Sequence, residues 1–341
     1  MNSYGPEYGR RGSARLGGAF LACWAMCAPA AAAEPMTLKL LQTIPLKGAP
    51  GRLDHMAIDS KGCRLFVANL SNNSLDVVDL KAGQLVKQVP GQTKIQGIAY
   101  APDVDRIFVG NGIAGTCNVF DGKDYSLLKS LKFPDADNVR YNPRTHLVYV
   151  EHAERTLTAL DARTYEKKAE IKLPGRPQAF LLEPGRSRLY LNALGPSVVV
   201  VIDTDKNEVR HRWPLKLADR GYPIALDEAN RRLFVAAREK PVIVVLNADS
   251  GEAVTAVPIP ADVDDLFYDA KRKRLYASCG EGVLAVVRQR GPDHYEVLEK
   301  IPTAKLARTC FFDPAADRLY LGLPRQAGKE GPEIRIFRPL P

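Results

Sequence analysis

Short apolar runs recur along the chain at a nearly constant spacing. Each run follows a polar residue, as in Arg64-Leu65-Phe66-Val67 and Arg106-Ile107-Phe108-Val109. The first apolar positions of the seven copies are Leu65, Ile107, Leu147, Leu189, Leu233, Leu275 and Leu319, which are 40 to 44 residues apart. Seven copies at this spacing indicate an internal repeat.

Each repeat contains four short segments rich in β-branched and aromatic residues, bounded by turn residues, which is the pattern of β-strands. Predicted first strands include 55–59 and 224–227, and the runs quoted above are the second strands. Predicted third strands end in Asp or Asn, at 75–79, 198–203 and 242–247, and fourth strands follow, as at 85–89 and 253–259. No stretch of twelve residues or more has a helical period.

Four-stranded units of this length predict an all-β fold, a seven-bladed β-propeller, over residues 34–341. The seventh repeat supplies only three strands, the last at 333–337. The segment 38–44 precedes the first repeat and has no unit of its own. It is predicted to be the outer strand of the seventh blade, because closing the ring in this way protects edge strands that an open array would expose.

Residues 1–33 differ from the rest of the chain. Arg10, Arg11 and Arg15 precede an uncharged apolar segment, and Ala31-Ala32-Ala33 follows it. This three-part layout predicts a signal peptide cleaved near Ala33 and a periplasmic or secreted protein. The alternative is an uncleaved anchor, which the short apolar segment disfavours. The mature chain is expected to contain no stable membrane span and to be monomeric.

Composition and charge narrow the classes of function. The 341 residues are 45% hydrophobic and 26% charged, which is typical of a globular protein. Loss of the leader removes three arginines and one glutamate, so the net charge falls from +9 to +7 without any polybasic segment. Four cysteines then remain, namely Cys63, Cys117, Cys279 and Cys310. The pairing Cys279–Cys310 is favoured if disulfides form, and four buried free thiols are the alternative.

Several phrases carry a family resemblance. Leu75-Asp76-Val77-Val78-Asp79 and Val200-Val201-Ile202-Asp203-Thr204 resemble the YVTN β-propeller repeat. The longer phrases 51–57, 135–141 and 262–269 resemble the exported, YncE-like branch of that family, and the resemblance extends over residues 36–341. It implies export and a propeller fold. It does not choose an activity, because the wider superfamily includes nucleic-acid-binding proteins, lactonases, lyases and heavy subunits of quinoprotein dehydrogenases.

The candidate binding residues lie in loops of unlike sequence. In a propeller, the loops that lead into the first strands, here called the mouth loops, meet the loops between second and third strands at one end of the central channel. Because polar residues there differ from blade to blade while the strands are alike, they are candidates for ligand contact. The predicted ligand-binding residues are Arg52, Asp54, Gln96, Asp137, Asn138, Arg140, Gln178, Tyr222, Arg238, Asp264, Asp265 and Arg308.

Three of these loops suggest catalytic chemistry. His55, Asp137 and Asp265 are candidate ligands for a divalent metal such as Zn²⁺, Mn²⁺ or Ca²⁺, and His55 is a candidate general base. The alternatives are a salt-bridged, hydrated channel mouth and a structural role for His55. Asp54 and His55 are adjacent, so as members of one strand they would point to opposite faces.

The four arginines of this set have two interpretations. They are able to hold a carboxylate or phosphate through forked hydrogen bonds, or to pair with Asp137, Asp264 and Asp265; the second interpretation is favoured. Nucleic acid is a weaker alternative, since among the tyrosines only Tyr222 is placed for stacking.

The sequence therefore favours a propeller that binds a small anionic ligand or a periplasmic protein at the channel mouth. A metal-dependent, lactonase- or lyase-like enzyme acting on a small anionic substrate is the alternative, and a periplasmic nucleic-acid-binding propeller is a second alternative. No known catalytic motif is present, so an enzyme is the less favoured class.

Overall fold

The computed structural model describes residues 36–341; the predicted signal peptide lies outside the described residues. These residues form seven sheets, each of four antiparallel strands. The first three blades contain β2 (Met56–Asp59), β3 (Arg64–Asn69), β4 (Ser74–Asp79), β5 (Gln84–Val89), β6 (Ile95–Ala101), β7 (Arg106–Asn111), β8 (Thr116–Asp121), β9 (Leu127–Lys132), β10 (Val139–Asn142), β11 (Leu147–His152), β12 (Thr156–Asp161) and β13 (Lys167–Lys172). A 3₁₀ turn covers Leu70–Asn72.

The next three blades repeat this order. They contain β14 (Arg176–Leu182), β15 (Arg188–Leu194), β16 (Val198–Asp203), β17 (Glu208–Pro214), β18 (Gly221–Asp227), β19 (Arg232–Ala237), β20 (Val242–Asn247), β21 (Ala253–Pro258), β22 (Val263–Asp269), β23 (Arg274–Cys279), β24 (Val283–Gly291) and β25 (His294–Pro302). The predicted third strands 198–203 and 242–247 coincide with β16 and β20. The predicted first strand 224–227 is three residues too short, because β18 has an irregular register between Gly221 and Ile224.

The last blade closes the ring, as the sequence predicts. It contains β26 (Thr309–Asp313), β27 (Arg318–Leu323) and β28 (Glu333–Pro339), and its outer strand is β1 (Leu38–Pro45). β1 pairs antiparallel with β28, and Ile44 is fully buried in this blade. The first strands of successive blades contact each other around the ring, and β26 contacts β2. The first strands therefore surround a central channel.

The hydrophobic core consists of seven clusters, one at each interface between neighbouring blades. In β3, Leu65 and Val67 face the seventh blade, whereas Phe66 and Ala68 face the second blade. Alternate side chains of a strand point to opposite faces, so a strand packed on both faces must be apolar throughout. This explains the uninterrupted apolar runs of the repeat.

Repeated Asp residues have a structural explanation. At the end of β2, the Asp59 carboxylate accepts hydrogen bonds from the Gly62 backbone amide at 3.0 Å and from Arg64 Nη2 at 2.7 Å. At the end of β4, Asp79 accepts two backbone amides, from Lys81 and Ala82, both at 2.8 Å. These contacts stabilise the hairpin turns. Residues 36–341 form no helix with the length and apolar character needed to cross a membrane.

Candidate functional site

A polar cavity of about 280 Å³ opens at the end of the channel where the mouth loops meet; it is called the mouth cavity below. All seven blades contribute residues to this cavity. The sequence indicated such a site, because the polar residues of the mouth loops differ from blade to blade. Its lining comprises Arg52, Asp54, His55, Lys94, Gln96, Asp137, Asn138, Arg176, Gln178, Ala179, Leu194, Arg220, Tyr222, Arg238, Asp264 and Arg308.

Three arginines of the mouth cavity converge on one carboxylate. Arg308 Nε lies 2.8 Å from Asp264 Oδ2, Arg238 pairs with the other oxygen, and Arg52 Nη1 lies 3.8 Å away. Arg308 Nη1 also lies 2.6 Å from Asp262 Oδ1. Arg52 also pairs with Asp54 at 2.9 Å, and Arg238 Nε donates to the Val263 carbonyl at 2.7 Å. These contacts occupy only part of the roughly fifteen N–H donors of three guanidinium groups, so donors remain available towards the cavity.

The other cations of the cavity are held more loosely at its edge. Lys94 Nζ and Arg176 Nη2 both pair with Asp135, at 2.7 and 3.4 Å, and Arg220 pairs with Glu239. The Arg176 and Arg220 side chains are about half exposed. Exposed pairs of this kind are weak, so these cations are free to turn towards a ligand.

Two acceptors in the cavity lack partners. The Asp137 carboxylate forms no ion pair with any cation of residues 36–341. Burial, together with the neighbouring Asp54 carboxylate, raises its pKa, and burial also raises the pKa of Glu151 behind it. The buried Gln96 Oε1 has no hydrogen-bond partner in this part of the chain. A ligand that donates hydrogen bonds would satisfy both groups.

His55 lies at the inner end of the mouth cavity in a buried ion pair. Its Nδ1 atom is 3.2 Å from Asp265 Oδ1, and its Nε2 atom is 3.8 Å from Asp54 Oδ1. The other Asp265 oxygen accepts the Cys310 backbone amide at 2.9 Å. Burial lowers the pKa of His55, but the Asp265 and Asp54 carboxylates outweigh it and raise the pKa to about 9. The imidazole is therefore protonated at neutral pH.

Arg140 lies beside this pair and is not itself in an ion pair. Its guanidinium donates to the Val139 carbonyl at 2.9 Å and to Asn138 Oδ1 at 3.0 Å, and no carboxylate of the described chain pairs with it. Burial lowers its pKa, and the carboxylates around it offset this only in part. The Cζ atom of its guanidinium lies 5.9 Å from the centroid of the Phe180 ring.

A second, larger cavity of about 780 Å³ continues through the ring beyond His55, Arg140 and Asp265. It is called the apolar channel below, because first-strand side chains such as Ile58, Ile98, Leu226 and Phe311 line it. His55 borders both cavities. A layer of buried charge thus separates a polar mouth from an apolar interior.

The structure brings eleven of the predicted site residues into the mouth cavity and places Arg140 and Asp265 at the inner end of the apolar channel. The expectation that Asp54 and His55 face apart is wrong, because both precede β2 in a mouth loop, where strand alternation does not apply. The sequence reasoning missed Arg176 and Arg220. Each lies two residues before a predicted site residue, Gln178 or Tyr222, so alignment of the mouth loops would have found them.

The predicted pairing of the four arginines is confirmed in one part only. Asp264 pairs with three of them, whereas Asp137 pairs with none and Asp265 pairs with His55. The Arg238 guanidinium lies over one face of the Tyr222 ring, 3.9 Å from the ring centroid. That face is therefore not open to a stacking base.

The favoured disulfide is not formed. The four cysteines of residues 36–341 are free; Cys63 is exposed, whereas Cys117, Cys279 and Cys310 are buried. Cys279 packs between the fifth and sixth blades and Cys310 between the sixth and seventh, so blade six separates their side-chain environments. The prediction assumed that cysteines in adjacent repeats lie close enough to pair, whereas these two lie at different blade interfaces.

The candidate metal ligands do not form a recognisable cluster. Among residues 36–341, no group of three or more His, Cys, Asp or Glu side chains has the arrangement of a metal site. His55 would also have to lose its proton before its nitrogen could bind a cation.

Comparison with known proteins supports the fold. No protein-family profile and no curated protein sequence match the chain. Of the solved structures, 1731 chains match. One is a chain of Kuenenia stuttgartiensis hydrazine synthase, with a TM-score of 0.70 and 16% identity over 81% of this chain and 94% of that chain. At this identity the similarity establishes the architecture alone, which is a seven-bladed β-propeller.

Proposed function

We propose that this propeller is a binding protein for a small acidic ligand that also carries a hydrogen-bond donor, such as a hydroxy acid. The observation that carries the proposal is the convergence of Arg52, Arg238 and Arg308 on the single carboxylate of Asp264. An acid group would take the guanidinium donors that Asp264, Asp54 and Asp262 leave free. The ligand's donor would face Asp137 and Gln96.

Calorimetric titration tests this proposal with two related diacids. Malate carries a hydroxyl donor that succinate lacks, so malate is expected to bind several-fold more tightly. Because charged hydrogen bonds contribute about 1.5–3 kcal/mol each, Arg308→Gln is expected to weaken malate binding by about tenfold or more.

The matched control is Arg290→Gln, which removes an exposed arginine that pairs with Glu296 far from the mouth loops. It is expected to bind malate like the parent protein. Failure of malate, succinate and inorganic phosphate to bind, or equal binding by the Arg308 variant, would contradict the proposal.

The proposed location is the periplasm or the exterior of the cell, after cleavage near Ala33. The layout of residues 1–33 and the YVTN-like phrases of the repeats support this location and membership of the exported, YncE-like propellers. Cell fractionation and sequencing of the mature N terminus test it. A mature chain that begins at Met1 would contradict it.

A second candidate function is acid–base catalysis on the same ligand, with a divalent metal as its proposed cofactor; His55, Asp137 and Asp265 would hold the metal once His55 has lost its proton. The unpaired Asp137 carboxylate favours it, because a raised pKa makes this group able to exchange protons near neutral pH. Metal content of protein purified without chelator tests it. About one equivalent of metal that is lost in Asp137→Asn would favour the enzyme.

A further inference from the structure

The apolar channel has the size of a binding pocket, and His55, Arg140 and Asp265 lie at its inner end. Its volume of about 780 Å³ lies in the range of pockets for drug-sized ligands. Its outer opening is at the face opposite the mouth loops, where prolines from four blades line it, namely Pro102, Pro143, Pro184 and Pro314. Ser60, Lys61 and Glu228 line the same end, so the opening combines apolar and polar groups.

The tyrosines of the channel present ring surface rather than hydroxyl groups to its interior. The Tyr100 hydroxyl donates to Asp105 Oδ1 at 2.9 Å, the Tyr141 hydroxyl donates to Asp103, and the Tyr268 hydroxyl donates to Gln289. Their polar atoms are thus satisfied within the protein. An apolar ligand body would lose no hydrogen bond by covering these rings.

The inner end of the channel carries one guanidinium, that of Arg140, whose charge the nearby Asp265, Glu151 and Asp137 carboxylates offset only in part. His55 and Asp265 form an ion pair that is neutral overall. Arg140 adds a guanidinium without an ion-pair partner in residues 36–341, and its fixed bonds to Val139 and Asn138 occupy only part of its donors. A ligand carboxylate would give this guanidinium a direct partner, whereas a dianion would bring a second negative charge close to the carboxylates that already surround Arg140.

We propose that the apolar channel binds a hydrophobic monocarboxylate, with its acid group on Arg140 and its apolar body along the first strands towards the proline-lined opening. This site is separate from the mouth cavity, because it lies on the other side of the His55–Asp265 pair and opens at the opposite face. It requires neither Arg308 nor the other arginines that converge on Asp264.

Dodecanoate and dodecan-1-ol test the proposal, since they share one tail and differ in charge. Titration of the mature protein, at concentrations below micelle formation, is expected to give one dodecanoate site. Dodecan-1-ol and butyrate are each expected to bind at least about tenfold more weakly, because the alcohol lacks the charged hydrogen bonds and butyrate lacks most of the apolar area. Equal binding of the acid and the alcohol would overturn the proposal.

Two variants locate the ligand. Arg140→Met keeps an unbranched apolar stem and removes the charge and its donors, so it is expected to reduce dodecanoate affinity at least tenfold, to the level of the alcohol. Ile58→Trp narrows the channel away from the charged end and is expected to abolish binding of both probes. Circular dichroism melts confirm that each variant is folded.

Arg290→Met is the control for loss of an arginine and is expected to bind dodecanoate normally. Unchanged dodecanoate binding by folded Ile58→Trp or by folded Arg140→Met would overturn the placement. Competition separates this site from the mouth cavity: saturating malate is expected to leave dodecanoate binding unchanged. Competition between the two acids would mean that dodecanoate occupies the mouth instead.

Discussion

The buried pair of His55 and Asp265 makes the stability of the propeller depend on pH. The pKa of His55 is raised from an ordinary value of 6.5 to about 9 in the folded protein. A raised pKa means that the folded state binds this proton more tightly than the unfolded state. The resulting stabilisation is complete below about pH 6.5 and is lost as the pH rises through 9.

The size of this stabilisation follows from the size of the pKa shift of His55. Each pKa unit corresponds to about 1.4 kcal/mol, so His55 is expected to contribute about 3 kcal/mol that disappears between pH 6 and pH 9.5. Urea unfolding at a series of pH values measures it through the midpoint and the slope. His55→Gln removes the titrating group while keeping a side chain that forms hydrogen bonds, so its stability is expected to fall much less over this range.

The difference in stability between the parent protein and His55→Gln separates the contribution of His55 from that of other titrating groups. Burial raises the pKa of Cys117 and Cys279 to about 12 and also raises that of Cys310. These thiols ionise only on unfolding, so above about pH 8.5 they lower stability in the parent and the variant alike. Parallel pH profiles for the two proteins would refute the proposed protonation of His55.

Three further predictions concern other parts of the ring. Deletion of residues 36–46 removes the closing strand and several buried aliphatic side chains, so the free energy of unfolding is expected to fall by about 5 kcal/mol; an unchanged melting temperature would refute ring closure. In the chain without residues 1–33, Cys63 alone is expected to react rapidly with a thiol reagent, and all four cysteines are expected to react in urea. Asp137→Asn is expected to raise stability by about 1–3 kcal/mol at pH 7.5 and less at pH 4, because the raised pKa means that ionisation of the buried carboxyl destabilises the folded state.

The fold was predictable because its determinants repeat. Every blade packs on two neighbours, so the apolar run of the second strand appears seven times, and its spacing gives the blade number without any contact information. The position of β1 was predictable for a related reason. The N-terminal strand belongs to no repeat and the seventh repeat lacks a fourth strand, so the N-terminal strand fills the missing place.

The site was predictable only in its general position. The mouth loops meet at one end of the channel in any propeller, so the sequence indicated which residues would lie close together. Pairing within the cavity depends on side-chain direction, which the order of residues does not specify. Asp264 and Asp265 are neighbours in sequence, yet Asp264 faces the arginines of the mouth whereas Asp265 pairs with His55.

The apolar channel could not be predicted from the pattern of residues. First strands such as β6 and β18 are apolar whether they face another blade or an open interior, because both environments exclude polar side chains. The repeat therefore marks these residues as core. Only the diameter of the closed ring leaves a cavity of about 780 Å³ among them.

Repeated and unrepeated charges in this propeller have different causes. Asp59, Asp269 and Asp313 occupy corresponding positions, and each accepts a backbone amide of the following turn. The turn recurs, so an acceptor that stabilises it recurs in most blades, although the second blade has Ala101 and the third has Asn142 at this position. Arg140 has no such repeated role: it forms no direct ion pair within residues 36–341, and burial lowers its pKa more than the nearby Asp265, Glu151 and Asp137 carboxylates raise it. A buried guanidinium that lacks a direct carboxylate partner would gain one from the acid group of the proposed channel ligand.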